Sequence, residues 1–155
     1  MNASAERRSA ERPDKESRHR AREAAVQMLY QWEVGKASMF EVGQTFWSGP
    51  AAATEPFADE LREFATKLAT GVAGTVGDID PMIVEAAQNW RIERMNVLDR
   101  LILRMAIYEF LHEPGTPPKV IINEALELAR TFSTDDSVRF INGVLDAVRR
   151  TLGRE

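Results

Sequence analysis

Apolar residues recur at spacings of three and four along most of the chain, the period of a helix with one buried face. The first stripe is predicted to begin with Ser17 as its N-cap and to end at Gly35. Ser38 and Glu41 then have the spacing of a capping box, which predicts a second, short helix. Residues 48–56 are rich in Gly, Pro and Thr and are predicted to form a loop.

A long third helix is predicted over residues 57–76, again from one apolar stripe. Asp80 and Pro81 are predicted to start a new helix, because a proline is favoured in the first turn. Glycines at positions 71, 74 and 77 follow the order G-x-x-G-x-x-G. This spacing is no dinucleotide-binding fingerprint, because it closes a helix instead of following a strand and opening one.

The spacing of apolar residues in the remaining part of the chain predicts three more helices. Asn96 is predicted to cap the first of them, with Asp99 satisfying the other free backbone donors. Residues 98–110 are apolar on more than one side, so we expect this helix to be central and the most buried. After a proline-rich break, the last two helices are predicted over about residues 119–131 and from residues 133–134 onward.

The fold class follows from these periods. No segment alternates with period two, and no repeat of solenoid length is visible. The prediction is an all-α protein of about seven helices packed as bundles. Residues 17–155 are predicted to form the helical domain, and the polar, aperiodic residues 1–16 a disordered charged extension.

Composition excludes several classes of protein. The 155 residues suffice for one domain with its own core. The absence of cysteine excludes disulfides, a thiolate zinc site and a cysteine nucleophile. The longest nearly apolar run, residues 101–111, is too short to span a bilayer, and the charged start contains no secretory signal. We therefore expect a cytoplasmic protein.

Charge is distributed unevenly along the chain. Residues 1–25 carry seven Lys/Arg and five Asp/Glu, a net charge of +2, whereas residues 26–155 carry thirteen and nineteen, a net charge of −6. A basic end on an acidic body suggests a polyanionic partner at that end. The alternative interpretation is a solvated charged tail.

No catalytic constellation is visible in the sequence. His19 and His112 lie beside no obvious partner, and there is no P-loop, HExxH, GxSxG or EF-hand motif. Paired carboxylates such as Glu124 and Glu127 are typical of a solvated helix face. The sequence predicts no enzyme, no metal and no cofactor.

Two aromatic residues lie away from the apolar stripes of their helices. Tyr30 falls opposite the stripe centred on Met28, and Phe140 lies about 100° from the stripe of the last helix. Asp136 and Arg139 share the flank of Phe140. An aromatic ring beside a cation suits single-stranded RNA, where rings stack on bases and cations follow phosphates. Packing against another element is the alternative for both rings.

Three segments resemble the bacterial transcription antitermination factors of the NusB family. They are residues 17–33 (SRHRAREAAVQMLYQWE), 98–111 (LDRLILRMAIYEFL) and 117–150 (PPKVIINEALELARTFSTDDSVRFINGVLDAVRR). The resemblance implies two small helical bundles and a non-enzymatic role. It implies binding of the boxA element of nascent RNA together with NusE, a small-subunit ribosomal protein. This assembly joins RNA polymerase in an antitermination complex that suppresses termination of ribosomal RNA transcription.

The resemblance also implies RNA-contacting positions. The family's arginine-rich start and its further contacts correspond to eight residues here: Arg18, Arg20, Arg22, Tyr30, Asp99, Asp136, Arg139 and Phe140. One departure is His19, which interrupts the arginines and lowers the charge at neutral pH. Members of the family occur as monomers and as homodimers, so both states stay open.

Two alternative functions belong to other classes. A NusB-like bundle also precedes the catalytic domain of some RNA cytosine methyltransferases, but such an enzyme needs a Rossmann-like domain and a cysteine that this chain lacks. A helical scaffold that binds only protein is the other alternative. Affinity for RNA distinguishes it from the antitermination factor.

Overall fold

The fold is all-α, as predicted. The computed structural model describes residues 3–49, 58–88 and 90–155, with side chains from Ser17 onward. These residues contain no strand, and two short 3-10 turns, Phe46–Ser48 and Ile92–Arg94, accompany the helices. The six α-helices of the described residues are α1 (Ala3–Gly35), α2 (Met39–Thr45), α3 (Asp59–Ala86), α4 (Val97–His112), α5 (Pro118–Phe132) and α6 (Asp135–Thr151).

Helix α4 joins two groups of helices. Helices α1 and α2 pack with α3, while α5 and α6 pack with each other, and α4 contacts α1, α3, α5 and α6. Every residue from 101 to 110 is buried, which confirms the prediction that this helix is the most buried. Its two charged residues in that range, Arg104 and Glu109, face carboxylate or guanidinium partners on α3 and α1. Among the described helices, none combines the length and the hydropathy that a bilayer crossing requires.

The two ends of α1 test the predictions of where this helix begins and where it ends. The end at Gly35 is confirmed. Helix α1 begins at Ala3, however, so the prediction that Ser17 caps it is wrong. No side chain of residues 1–16 belongs to the described part of the structure, and their assignment as a disordered charged extension stays a prediction. Of the predicted loop over residues 48–56, residues 50–56 lie outside the described residues.

The predicted helix start at Asp80 and Pro81 is wrong. Helix α3 continues through Pro81 to Ala86, which is why the described residues contain six helices. A proline inside a helix removes one backbone hydrogen bond and costs about 3 kcal/mol or more. Ile79 and Ile83 are fully buried on either side of it. Their burial holds the backbone on its helical path despite the lost hydrogen bond.

Two predicted helix caps, at Ser38 and Asn96, are present in the structure. The Ser38 Oγ accepts the Glu41 backbone N–H at 3.1 Å, and the Asn96 Oδ1 accepts the Leu98 backbone N–H at 2.9 Å. Both predicted caps are therefore confirmed. Asp99 does not help to cap α4. Its carboxylate turns toward the junction of α5 and α6, described below.

Gly71, the first glycine of the G-x-x-G-x-x-G run, allows two helices to pack closely. A Cβ atom on Gly71 would overlap the ring of Tyr108, which lies on α4, whereas Gly74 and Gly77 have open space at the same position. Only a glycine lets α3 approach α4 this closely at residue 71. Gly71 is thus a point of close helix–helix contact.

Candidate nucleic-acid interface

The three arginines near the start of the predicted interface have different surroundings. Arg18 is exposed, and its guanidinium lies 5.4 Å from the centre of the Phe64 ring. Arg20 is half-buried, on another face of the same helix. Arg22 is only 3% exposed, with its guanidinium 5.5 Å from the same Phe64 ring. Helix α1 therefore presents Arg18 to solvent and directs Arg22 into the core.

Arg22 forms a buried ion pair with Glu109 of α4. The Arg22 Nη2 donates to Glu109 Oε1 at 2.8 Å, and Nε lies 3.1 and 3.2 Å from the two carboxylate oxygens. Glu124 of α5 lies 3.9 Å from Nη1. Burial raises the pKa of Glu109 above its usual range, and the Arg22 guanidinium opposes that rise. The guanidinium thus ties α1 to α4 and is already paired.

His19 also has partners that the sequence did not reveal. Its Nδ1 lies 2.6 Å from Glu124 Oε2, and its Nε2 lies 3.0 Å from Glu23 Oε1. Glu124 is 105 positions away in sequence and comes from α5. The sequence-based statement that His19 lies beside no obvious partner is true only locally. The imidazole is held between two carboxylates of the protein itself.

Tyr30 lies on the surface, as its position off the apolar stripe indicates. Its side chain is 43% exposed. It lines a cavity of about 400 Å³ together with Phe46, Leu98 and Phe132 from three other elements. Val26, Gln27 and Gln31 of α1 complete the lining. The ring thus borders apolar residues and is partly exposed to solvent. This arrangement suits a planar ligand such as a base.

Phe140 lies in a second cavity, of about 240 Å³. Its ring centre is 5.6 Å from that of Trp90, and the two ring planes are inclined by 58°. The cavity lining also includes two other predicted site residues and four more: Asp99, Asp136, Arg94, Met95, Asn96 and Ser137. Leu98 of the Tyr30 cavity and Asp99 of this one are neighbours in sequence. Each cavity therefore includes a residue from the first turn of α4, although the two linings have no residue in common.

Asp99 has a structural role at this junction. It is 7% exposed, and its two carboxylate oxygens each accept a serine hydroxyl at 2.7 Å, from Ser133 and Ser137. These contacts fasten α4 to the turn between α5 and α6, and Thr134 caps α6 at the same place. The carboxylate thereby fixes the start of α6, the helix that carries Phe140.

Asp136 and Arg139 form an exposed pair on α6. The Arg139 Nη2 donates to Asp136 Oδ1 at 2.9 Å, and both side chains are largely in solvent. An exposed pair at this spacing contributes little to stability, about 0.2–0.5 kcal/mol. Its geometry can therefore change at small cost when a polyanion approaches Arg139.

Sequence reasoning missed two residues of this surface, Trp90 and Arg94. Both lie in the segment between α3 and α4, and both line the cavity that holds Phe140. The sequence held one signal, an N-W-R-I-E-R stretch in which a tryptophan stands among arginines. In the described part of the chain, no three His, Asp or Glu side chains converge in a way that could hold a metal ion.

Comparisons with known proteins agree on one family. The model of the NusB family matches residues 19–150. A protein of Koribacter versatilis named transcription antitermination protein NusB is 46% identical over 139 residues, which cover 90% of this chain and 92% of the relative.

Two solved structures have a similar fold. A NusB structure from T. maritima has a TM-score of 0.75 at 31% identity and covers 86% of this chain and 90% of its own. A complex of the antitermination factors NusB and NusE with dsRNA contains a chain with a TM-score of 0.77 at 21% identity, with 88% and 98% covered. At that identity the second similarity supports the fold alone.

Proposed function

Since this chain belongs to the NusB family, we propose that it is a transcription antitermination factor that binds boxA RNA together with NusE. In this role it joins the RNA polymerase antitermination complex and suppresses termination of ribosomal RNA transcription. The role is that of a non-catalytic RNA-binding factor. Its place of action is the cytoplasm, where bacterial transcription takes place.

One observation carries the proposal: aromatic residues from three parts of the chain line two cavities, and each cavity includes a residue from the first turn of α4. Tyr30 comes from α1, Trp90 from the segment before α4, and Phe140 from α6. Exposed aromatic faces beside cations are typical of single-stranded RNA binding, because every base can stack on them. A scaffold that binds only protein would not need exposed aromatic rings beside cations.

The eight predicted site residues take two kinds of role in the proposal. Arg18, Arg20 and Arg139 neutralise phosphates, while Tyr30 and Phe140 stack on bases. Arg22 and Asp99 position these residues from within the protein, because each is buried and bonded to other side chains. Asp136 restrains Arg139 until RNA binds.

NusE is expected to strengthen the RNA complex. The body of the chain is acidic, so it should bind RNA weakly by itself. A basic ribosomal protein beside it would extend the positive surface that the RNA meets. We expect the affinity for boxA RNA to rise several-fold when NusE is present, measured by titration of labelled RNA.

A scrambled RNA of the same length and composition is the control for that titration. A preference for boxA RNA over the scrambled RNA, with a gain from NusE, supports the antitermination factor. Equal affinities for both RNAs, unchanged by NusE, would leave the protein scaffold as the better explanation.

The salt dependence of RNA binding tests the electrostatic role of α1. Replacing Arg18 and Arg20 together with glutamine should lower the slope of log K against log salt by about 1.4, because each phosphate contact to a single strand contributes about 0.7. The measurement is a series of RNA titrations between low and physiological salt.

Arg150→Gln provides the matched control for that series. Arg150 is an exposed arginine at the other end of α6, paired with Asp146. Its replacement removes one positive charge at the end of α6 that lies away from Asp136 and Arg139, and should leave the slope unchanged. If the double variant and the control behaved alike, the assignment of Arg18 and Arg20 to phosphates would be wrong.

A further inference from the structure

The segment between α3 and α4 forms a groove that none of the predicted site residues lines. Trp90 is 57% exposed, and Arg91 and Arg94 are exposed beside it. The groove has a volume of about 710 Å³ and is lined by residues from the end of α3 and from this segment: Val84, Gln88, Trp90, Arg91, Ile92, Glu93 and Arg94. Among the described residues, no ion pair or side-chain hydrogen bond is formed by Arg91 or Arg94.

This groove is continuous with the cavity of Phe140. Trp90 and Arg94 line both of them, and the Trp90 ring contacts the Phe140 ring. A strand that passes over Phe140 therefore meets Trp90 next and then the arginines. The two ring planes are inclined by 58°, so the rings do not stack face to face on each other.

We propose that the groove is a second, adjoining stretch of the RNA-binding surface. Trp90 stacks on a base beside the one at Phe140, and Arg91 and Arg94 contact the phosphates of the nucleotides that follow. This inference rests on the proposed function, because it takes single-stranded RNA as the occupant of the Phe140 cavity.

Charge and ring chemistry favour RNA over a peptide in this groove. Arg91 and Arg94 outnumber Glu93, so the segment is locally positive on a body whose net charge from residue 26 onward is −6. A polyanion is attracted to such a place and repelled by its surroundings, which guides it along the groove. The open tryptophan face provides stacking that tolerates any base.

The first test is the affinity for boxA RNA of three groove variants. Trp90→Ala should weaken binding by about 5- to 150-fold, the worth of one base–aromatic stack. Trp90→Phe should recover part of the loss, because it keeps an aromatic face. Replacing Arg91 and Arg94 with glutamine should lower the salt slope by about 1.4.

Tryptophan fluorescence tests whether RNA contacts the Trp90 ring. If Trp90 had only a structural role, RNA binding would not change its emission. The chain has three tryptophans, and Trp90 is the exposed one, while Trp32 and Trp47 are half-buried. RNA that stacks on Trp90 should quench the emission of the wild-type protein. In Trp90→Phe most of this quenching should disappear although the RNA still binds.

RNA length tests whether the two stacking sites adjoin. BoxA RNA is shortened one nucleotide at a time from each end and titrated against wild type, Trp90→Ala and Phe140→Ala. Shortening from one end should abolish the difference between wild type and Trp90→Ala while the effect of Phe140→Ala persists. Val120→Ala, which shortens an exposed valine of α5 outside the groove and both cavities, should match wild type throughout.

The outcomes separate this inference from the proposed function. If wild type shows no preference for boxA RNA, the proposed function fails. If wild type binds boxA RNA and Phe140→Ala weakens it, but the Trp90 and double-arginine variants bind like wild type, only the groove assignment is overturned. If those variants change only the gain from NusE, the groove faces protein and the inference is equally overturned. If Trp90→Ala has a lower melting temperature than wild type, the RNA affinities of Trp90→Phe and of the double-arginine variant still test the groove assignment.

Discussion

Arg22→Ala is expected to destabilise the folded protein by about 3–5 kcal/mol, the usual cost of removing one partner of a buried ion pair. Glu109 would lose the three short contacts that Arg22 makes with its carboxylate. Its charge would then stay buried in α4 without a cation in contact. Denaturant unfolding of wild type and variant measures the difference.

The loss of folding stability in Arg22→Ala should depend on pH. Burial already raises the pKa of folded Glu109, and removing Arg22 takes away the cation that opposes the rise. A folded pKa above the unfolded one makes the folded variant the better proton acceptor. Its stability is therefore greatest below the unfolded pKa of glutamate and falls as pH rises through the folded pKa. The deficit of the variant relative to wild type should shrink on acidification.

Two control variants accompany Arg22→Ala. Arg18→Ala removes an exposed arginine from the same Phe64 ring one turn earlier, and should cost no more than about 1 kcal/mol. The double variant Arg22→Met with Glu109→Leu should recover much of the loss, since a buried pair can often be replaced by apolar residues. A single Arg22→Ala variant as stable as wild type would show that the ion pair does not hold α1 to α4.

Phe140→Ala should weaken RNA binding by about 1–3 kcal/mol, the contribution of one base–aromatic stack. The salt slope should stay unchanged, because the substitution removes no charge. Phe140 is half-buried and contacts Trp90. The folding cost should therefore stay below the roughly 3–5 kcal/mol of a fully buried phenylalanine. RNA titration and thermal unfolding of the same variant measure both quantities.

Phe140→Leu separates stacking from packing. Leucine keeps most of the contact with the neighbouring apolar residues but has no aromatic face. It should preserve the melting temperature and still bind RNA more weakly than wild type. If Phe140→Ala lowered the melting temperature strongly while its folded fraction bound RNA with wild-type affinity, Phe140 would be a core residue.

The local features of this fold are readable in the sequence alone. Spacings of three and four residues define the helices, because a helix brings residues at those distances onto one face. The caps at Ser38 and Asn96 are equally local, since each side chain bonds a backbone N–H within the next turn. The burial of α4 follows from apolar residues on more than one of its sides. These features, together with the three family-like segments, determined the fold class and the family.

The tertiary structure alone decided which arginine is exposed and which is buried in an ion pair. Arg18 and Arg22 look alike in sequence, but Glu109, 87 positions away, pairs with Arg22 only. Asp99 likewise looks like a capping residue until Ser133 and Ser137 approach it from another pair of helices. Pro81 looks like a helix start until Ile79 and Ile83 are seen buried around it. Periodicity and capping depend on neighbours within a few residues, whereas the partner of a charge and the exposure of Trp90 depend on how distant helices pack.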